Sequence, residues 1–67
     1  MDFKIEGEWI ELCSLLKVTG LAESGGKAKQ LIAEGFVTVN GALEKRKTCK
    51  IKAGSVVVFK GESITLK

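Results

Sequence analysis

No histidine occurs among the 67 residues, and only two cysteines, Cys13 and Cys49, far apart in the chain. Without histidine no Ser-His or Cys-His dyad can form, which closes the usual routes to an activated nucleophile. Neither cysteine belongs to a Cys-x-x-Cys pair, so a structural zinc site would need carboxylates to complete it. The eight acidic residues are scattered, with no pair spaced for acid–base chemistry. "GLAESGGKAK" lacks the Gly-x-x-x-x-Gly-Lys-Ser/Thr spacing of a phosphate loop and follows a helical pattern, not a strand. The expectation is therefore no enzyme, no cofactor or metal, and no small-molecule substrate.

Long apolar runs are missing too. Nothing approaches the roughly 18 residues of a membrane span, and the opening "MDFKIEGE" is acidic where a signal peptide is basic. A cytoplasmic protein with both thiols free is expected. Cys13 reads as a small core residue; lysines around Cys49 could lower its pKa and make it reactive, but packing is preferred to redox or catalytic use. Aromatics are few: Phe3, Trp9, Phe36 and Phe59. All four sit in apolar patterns and read as core, which leaves base stacking outside the expected mechanism. A chain of this length is expected to form one domain, residues 1–67, too small for a deep pocket, acting as a monomer.

What the sequence does have is positive charge, unevenly placed. Residues 1–16 carry Lys4 against Asp2, Glu6, Glu8 and Glu11, a net −3. Residues 17–67 carry ten Lys or Arg against Glu23, Glu34, Glu44 and Glu62, a net +6. The densest stretch is "EKRKTCKIK", with Lys45, Arg46, Lys47, Lys50 and Lys52. Such a face suits a polyanion, either nucleic acid or an anionic membrane; it also suits plain solubility. Membrane binding would need an exposed apolar stripe beside the lysines, and the second helical segment has too few apolar residues to supply one.

"FKI" at residues 3–5 alternates and predicts a very short N-terminal strand. "GEWIELCSLLKVTG", residues 7–20, has helical spacing: Trp9, Leu12, Cys13 and Leu16 form a stripe widened by Ile10 and Leu15. Early acids and the late Lys17 match a helix dipole, and Gly20 is its stop. A second helix follows Ser24, a good N-cap, with Ala28, Leu31 and Ile32 inward and Gly35 as terminator. Gly25 and Gly26 at its start mark either a close backbone approach or a loose beginning. "FVTVNGALE" predicts a hairpin turning at Asn40-Gly41. "IKAGSVVVFKGESITL" adds strands, with turns at Ala53-Gly54 and around Gly61 and with Ile51, Ile64 and Leu66 inward. The fold class is α+β: two helices, then a small, mostly antiparallel sheet.

Candidate functional residues are the cations on these elements. Lys27 and Lys29 occupy the first turns of the second helix, where free amides already favour an anion; Lys27 lies roughly opposite the Leu31–Ile32 stripe, and Gln30 shares that outer face. Lys45, Arg46, Lys47 and Lys50 follow the hairpin; Arg46 can fork onto a phosphate while lysines act as point charges. These groups form one rim if the hairpin lies beside the start of the second helix.

"SGGKAKQLIAEGFVTVNG" closely resembles the core of the S-four RNA-binding domain. Ser24, Ala28, Leu31, Ile32, Gly35, Val37, Val39, Asn40 and Gly41 fall in register with it. "ELCSLLKVTGLAE" is similar to the family's first helix and "CKIKAGSVVVF" to its later strands, so residues 9–60 are covered. The Ser-Gly-Gly form and short length are similar to small stand-alone bacterial members. The resemblance implies the αL motif, two antiparallel helices and a hairpin, binding structured RNA, ribosomal RNA included. It implies contacts from Lys29 and Gln30, with Lys27 close by, and from the basic segment after the hairpin. Two positions depart from the pattern: the arginine after the motif serine is Gly25, and Gly-Asp is Gly54-Ser55. A protein-interaction adaptor that kept the fold and lost tight RNA binding is the alternative.

Overall fold

The computed structural model describes all 67 residues. Seven strands and two helices run β1 (Asp2–Phe3), β2 (Trp9–Glu11), α1 (Leu12–Val18), α2 (Gly25–Ala33), β3 (Val37–Val39), β4 (Ala42–Leu43), β5 (Lys50–Lys52), β6 (Val56–Phe59), β7 (Glu62–Leu66). The larger sheet has the order β1-β7-β6-β3-β4. Only β1 and β7 pair in parallel; the other pairs are antiparallel. The α+β class, two helices packed on a mostly antiparallel sheet, is as the sequence predicts. The strands form two sheets rather than one, because β5 leaves β6 and pairs with β2.

That pairing explains the one misjudged element. Residues 9–11 are a strand, not the first turn of a helix. Ile10 lies opposite Ile51, while Trp9 faces Lys52 and Glu11 faces Lys50. Side chains alternate across a strand, so Ile10 and Ile51 share the inner face and Trp9, Glu11, Lys50 and Lys52 the outer one. Apolar residues at 9, 10, 12 and 13 satisfy a helical stripe equally well, and only the distant partner Lys50–Lys52 decides between them.

The helix α1 is therefore short, and no acid lies in its first turn; Lys17 does lie in its last. It buries Leu12, Cys13, Leu15 and Leu16. The helix α2 buries Ala28, Leu31 and Ile32 against it, and Ser24 caps it by accepting a hydrogen bond from the Lys27 amide at 3.1 Å. Gly35 ends it with φ +88°. Neither helix is long enough to persist alone; both are held by one core that also takes Val37, Ile51, Val57, Phe59, Ile64 and Leu66. Fully burying an aliphatic side chain contributes about 1.5–3 kcal/mol, so nine such residues outweigh any local preference of the helices.

Asn40 (φ 52°) and Gly41 (φ 84°) make the predicted type I′ turn between β3 and β4. Asn40 does more than turn. Its Oδ1 accepts from the Val56 amide at 2.8 Å and its own amide donates to the Val56 carbonyl at 2.8 Å. The hairpin is thereby pinned to β6.

Candidate functional site

The segment from Glu44 to Cys49 connects β4 to β5 and carries the basic cluster. Its path is set by backbone demands of α1. Glu11 caps that helix without a side-chain hydrogen bond, so the first amides need acceptors from elsewhere. The connecting segment provides them: the Leu12 amide donates to the Cys49 carbonyl at 2.9 Å and the Cys13 amide to the Lys47 carbonyl at 3.1 Å. With these carbonyls turned inward, the segment leaves Lys45, Arg46 and Lys47 exposed. A turn closed by the Cys49 amide on the Arg46 carbonyl at 3.3 Å completes the arrangement.

Lys29, Lys45, Arg46, Lys47 and Lys50 line one open concavity of about 860 Å³, with Thr48 and Cys49 as its remaining lining. Five cations from α2, the connecting segment and β5 thus converge, and an anion there meets positive charge on several sides. The rim is not built as the sequence suggests, beside the start of α2. The Lys45 stem passes the far end of that helix, its Cε 3.5 Å from where a Cβ on Gly35 would stand. Lys29 reaches the concavity from the middle of α2. Lys27 and Gln30 are exposed but do not line it, and Gln30 Nε2 points to Glu34 Oε1 at 3.4 Å.

Arg46 is held rather than free. Its Nε and Nη2 donate to Glu44 Oε2 and Oε1 at 3.0 and 2.9 Å, and its backbone amide donates to Oε2 at 3.0 Å. The Glu44 side chain is mostly covered, whereas 78% of the arginine side chain stays in solvent. The Nε–Nη2 edge of the guanidinium is therefore committed; Nη1 and the planar face remain open to a ligand. The side-chain bond from Arg46, then its amide, pulls the Glu44 carboxyl down to about 2. The pairing moves the guanidinium further up.

Cys49 packs at the edge of the core, the role preferred for it over that of a reactive thiol. Burial, then the hydrogen bond to Glu44, pushes its thiol up rather than down. Its Sγ donates to Glu44 Oε1 at 3.4 Å and accepts from Arg46 Nη2 at 3.7 Å. The lysines nearby do not activate it. Cys13 is buried in the core, as predicted.

The aromatics divide. Phe59 is buried and Phe3 packs at the core's edge, but Trp9 is 41% and Phe36 48% exposed. Lys50 Nζ stands 4.8 Å from the Trp9 ring centre, and Lys60 Nζ 5.3 Å from that of Phe36. Sequence reasoning misses Trp9, Glu44 and Thr48 as residues of this surface. The alternation Lys50-Ile51-Lys52 is the available signal for Trp9, since an outward-facing lysine strand demands a partner strand with an outward face of its own.

Two helices packed together, followed by a hairpin and a basic segment folded back on the first, define an S4-type domain. The sequence profile of the S4 domain matches residues 3–67, and the chain belongs to that family. It is 58% identical over 55 residues to the protein named "Putative RNA-binding protein YbcJ" from Escherichia coli (strain K12), covering 82% of this chain and 79% of that one. It is 37% identical over 57 residues to the "Probable ribosome maturation protein RlbA" of Bacillus subtilis (strain 168), covering 85% and 80%. The solution structure of E. coli YbcJ, described as revealing an αL motif involved in RNA binding, superposes with a TM-score of 0.74. That match has 50% identity and covers 97% of this chain and 84% of that one.

Proposed function

We propose that this protein binds structured RNA, with ribosomal RNA as the leading candidate, through the concavity of Lys29, Lys45, Arg46, Lys47 and Lys50. The observation that carries the reading is the convergence of five cations from three elements on one open surface. Phosphates on a folded RNA are spaced to meet such a rim, and recognition through phosphates and shape needs no deep pocket. Arg46, oriented by the fork it makes on Glu44, presents its Nη1 and its planar face; the lysines adapt around it. Lys27 and Gln30 serve as outlying contacts. The names of the E. coli and B. subtilis relatives support the same reading. The whole chain acts as one cytoplasmic unit, a monomer without cofactor, and not as an enzyme.

Binding to ribosomal RNA fragments across a salt series tests it. Changing Lys45, Arg46 and Lys47 together to alanine should weaken binding and reduce the salt slope by roughly 0.7–0.9 for each phosphate that is no longer neutralised. Wild type that binds no better than a charge-scrambled control would sink the reading and turn attention to a protein partner.

A further inference from the structure

Trp9 is the only tryptophan of the chain, and 41% of it is exposed although large apolar rings are normally covered. Its exposure follows from register: with Ile10 turned inward opposite Ile51, the indole must stand on the outer face of the β2–β5 pair. There it faces Lys52 directly, and Lys50 is its diagonal neighbour with Nζ over the ring. Lys50 also lines the basic concavity. On its other flank Trp9 lines a second, more apolar concavity of about 310 Å³ with Phe3, Lys4, Ile5, Glu6 and Ile10. The ring thus joins a cationic surface to an apolar one.

The geometry points to Trp9 as a stacking platform for an unpaired nucleobase, which enters the apolar concavity while Lys50 holds the adjoining phosphate. The inference deepens the RNA reading above and rests on it: the preferred RNA has a bulged or looped nucleotide next to its paired stem. The Lys50 ammonium occupies one face of the indole, so the base takes the side of the ring that lines the apolar concavity; an aromatic face accepts any base. The volume, at the lower end of small-ligand sites, suits one planar ring system. Lys4 and Glu6 are the polar groups available to its edge. Lys4, Lys50 and Lys52 outnumber Glu6 and Glu11 around the indole, which fits a base carried on a polyanion better than an apolar protein segment.

The chain has no tyrosine, so intrinsic emission reports Trp9 alone. The probes are an RNA hairpin with one bulged adenosine and the same hairpin without it, at low salt. The bulged RNA should quench the emission strongly and the paired one weakly. Trp9→Leu should lose about 5- to 150-fold in affinity for the bulged hairpin and little for the paired one. Trp9→Phe, which keeps a ring, should retain most of the affinity, and circular dichroism should show both variants folded. Equal quenching by the two hairpins, with Trp9→Leu binding both as wild type does, overturns the stacking platform and leaves the cationic cleft standing. If neither hairpin binds and the Lys45, Arg46, Lys47 triple variant behaves as wild type, both readings fail.

Discussion

Glu44 and Arg46, two residues apart, are joined at three points: two side-chain hydrogen bonds of 2.9 and 3.0 Å and a backbone amide at 3.0 Å. The acid shapes the connecting segment and aims the arginine at the same time. One carboxylate in a basic cleft lowers its charge, yet it converts a flexible cation into an oriented one.

This pairing gives stability a defined pH dependence. The Glu44 carboxyl titrates near 4.5 when unfolded and at about 2 when folded, so in acid the unfolded chain binds a proton that the native state excludes. The stability from this pair is fully present above about pH 4.5 and is lost as pH falls towards 2. Asp2, lowered by Lys67, acts in the same direction. Urea unfolding of Glu44→Gln should show a shallower acid limb than wild type, with the two converging near pH 2. Parallel curves would mean that the carboxylate does not hold Arg46 in solution.

Cys49 should react slowly with iodoacetamide at neutral pH, more slowly than a free cysteine, because burial and then Glu44 disfavour its thiolate. Removing the charge in Glu44→Gln should speed alkylation. Mass spectrometry of the modified peptide separates Cys49 from the buried Cys13.

Asn40→Ala should cost about 1–3 kcal/mol, because it puts a side chain that disfavours positive φ into the turn and removes the acceptor for the Val56 amide. Asn40→Gly keeps the turn and loses only the hydrogen bond, so it should fall between wild type and the alanine variant in chemical denaturation. If glycine and alanine behave alike, the clasp to β6 and not the turn conformation dominates.

Gly25 stands in open space, and a Cβ on Gly26 would meet only Ser24 Oγ at 3.9 Å. Nothing within the fold requires either glycine. Alanine at each should stabilise the protein by up to about 1 kcal/mol, seen as a raised midpoint in thermal unfolding. Should the same changes weaken RNA binding while raising stability, the glycines admit a close ligand backbone. Unchanged binding would mark a loose helix start.

Lys29→Ala should weaken RNA binding more than Lys27→Ala, because only Lys29 lines the cleft. Comparing salt slopes measures the difference: the slope of the Lys29 variant should fall by most of the amount that one neutralised phosphate supplies. The reverse order would move the interface to the start of α2, where the sequence pattern alone puts it.

The amino-acid sequence by itself determined the elements whose signals are local. Ser24 and Gly35 bound α2, and Asn40-Gly41 turns the hairpin. The alternation around Ile51, Ile64 and Leu66 assigns those strands and their inner faces. Capping, positive φ and side-chain period act within a few residues, so they can be read without knowing the fold. Tertiary structure decided the rest. Trp9–Glu11 became a strand only because Lys50–Lys52, far along the chain, offers it a ladder. Carbonyls of Lys47 and Cys49 cap α1, where its own Glu11 does not, and that docking brings Lys29 and the basic segment to one surface. Backbone amides left without partners must find them somewhere in the folded chain, and which segment answers depends on contacts that no stretch of sequence contains.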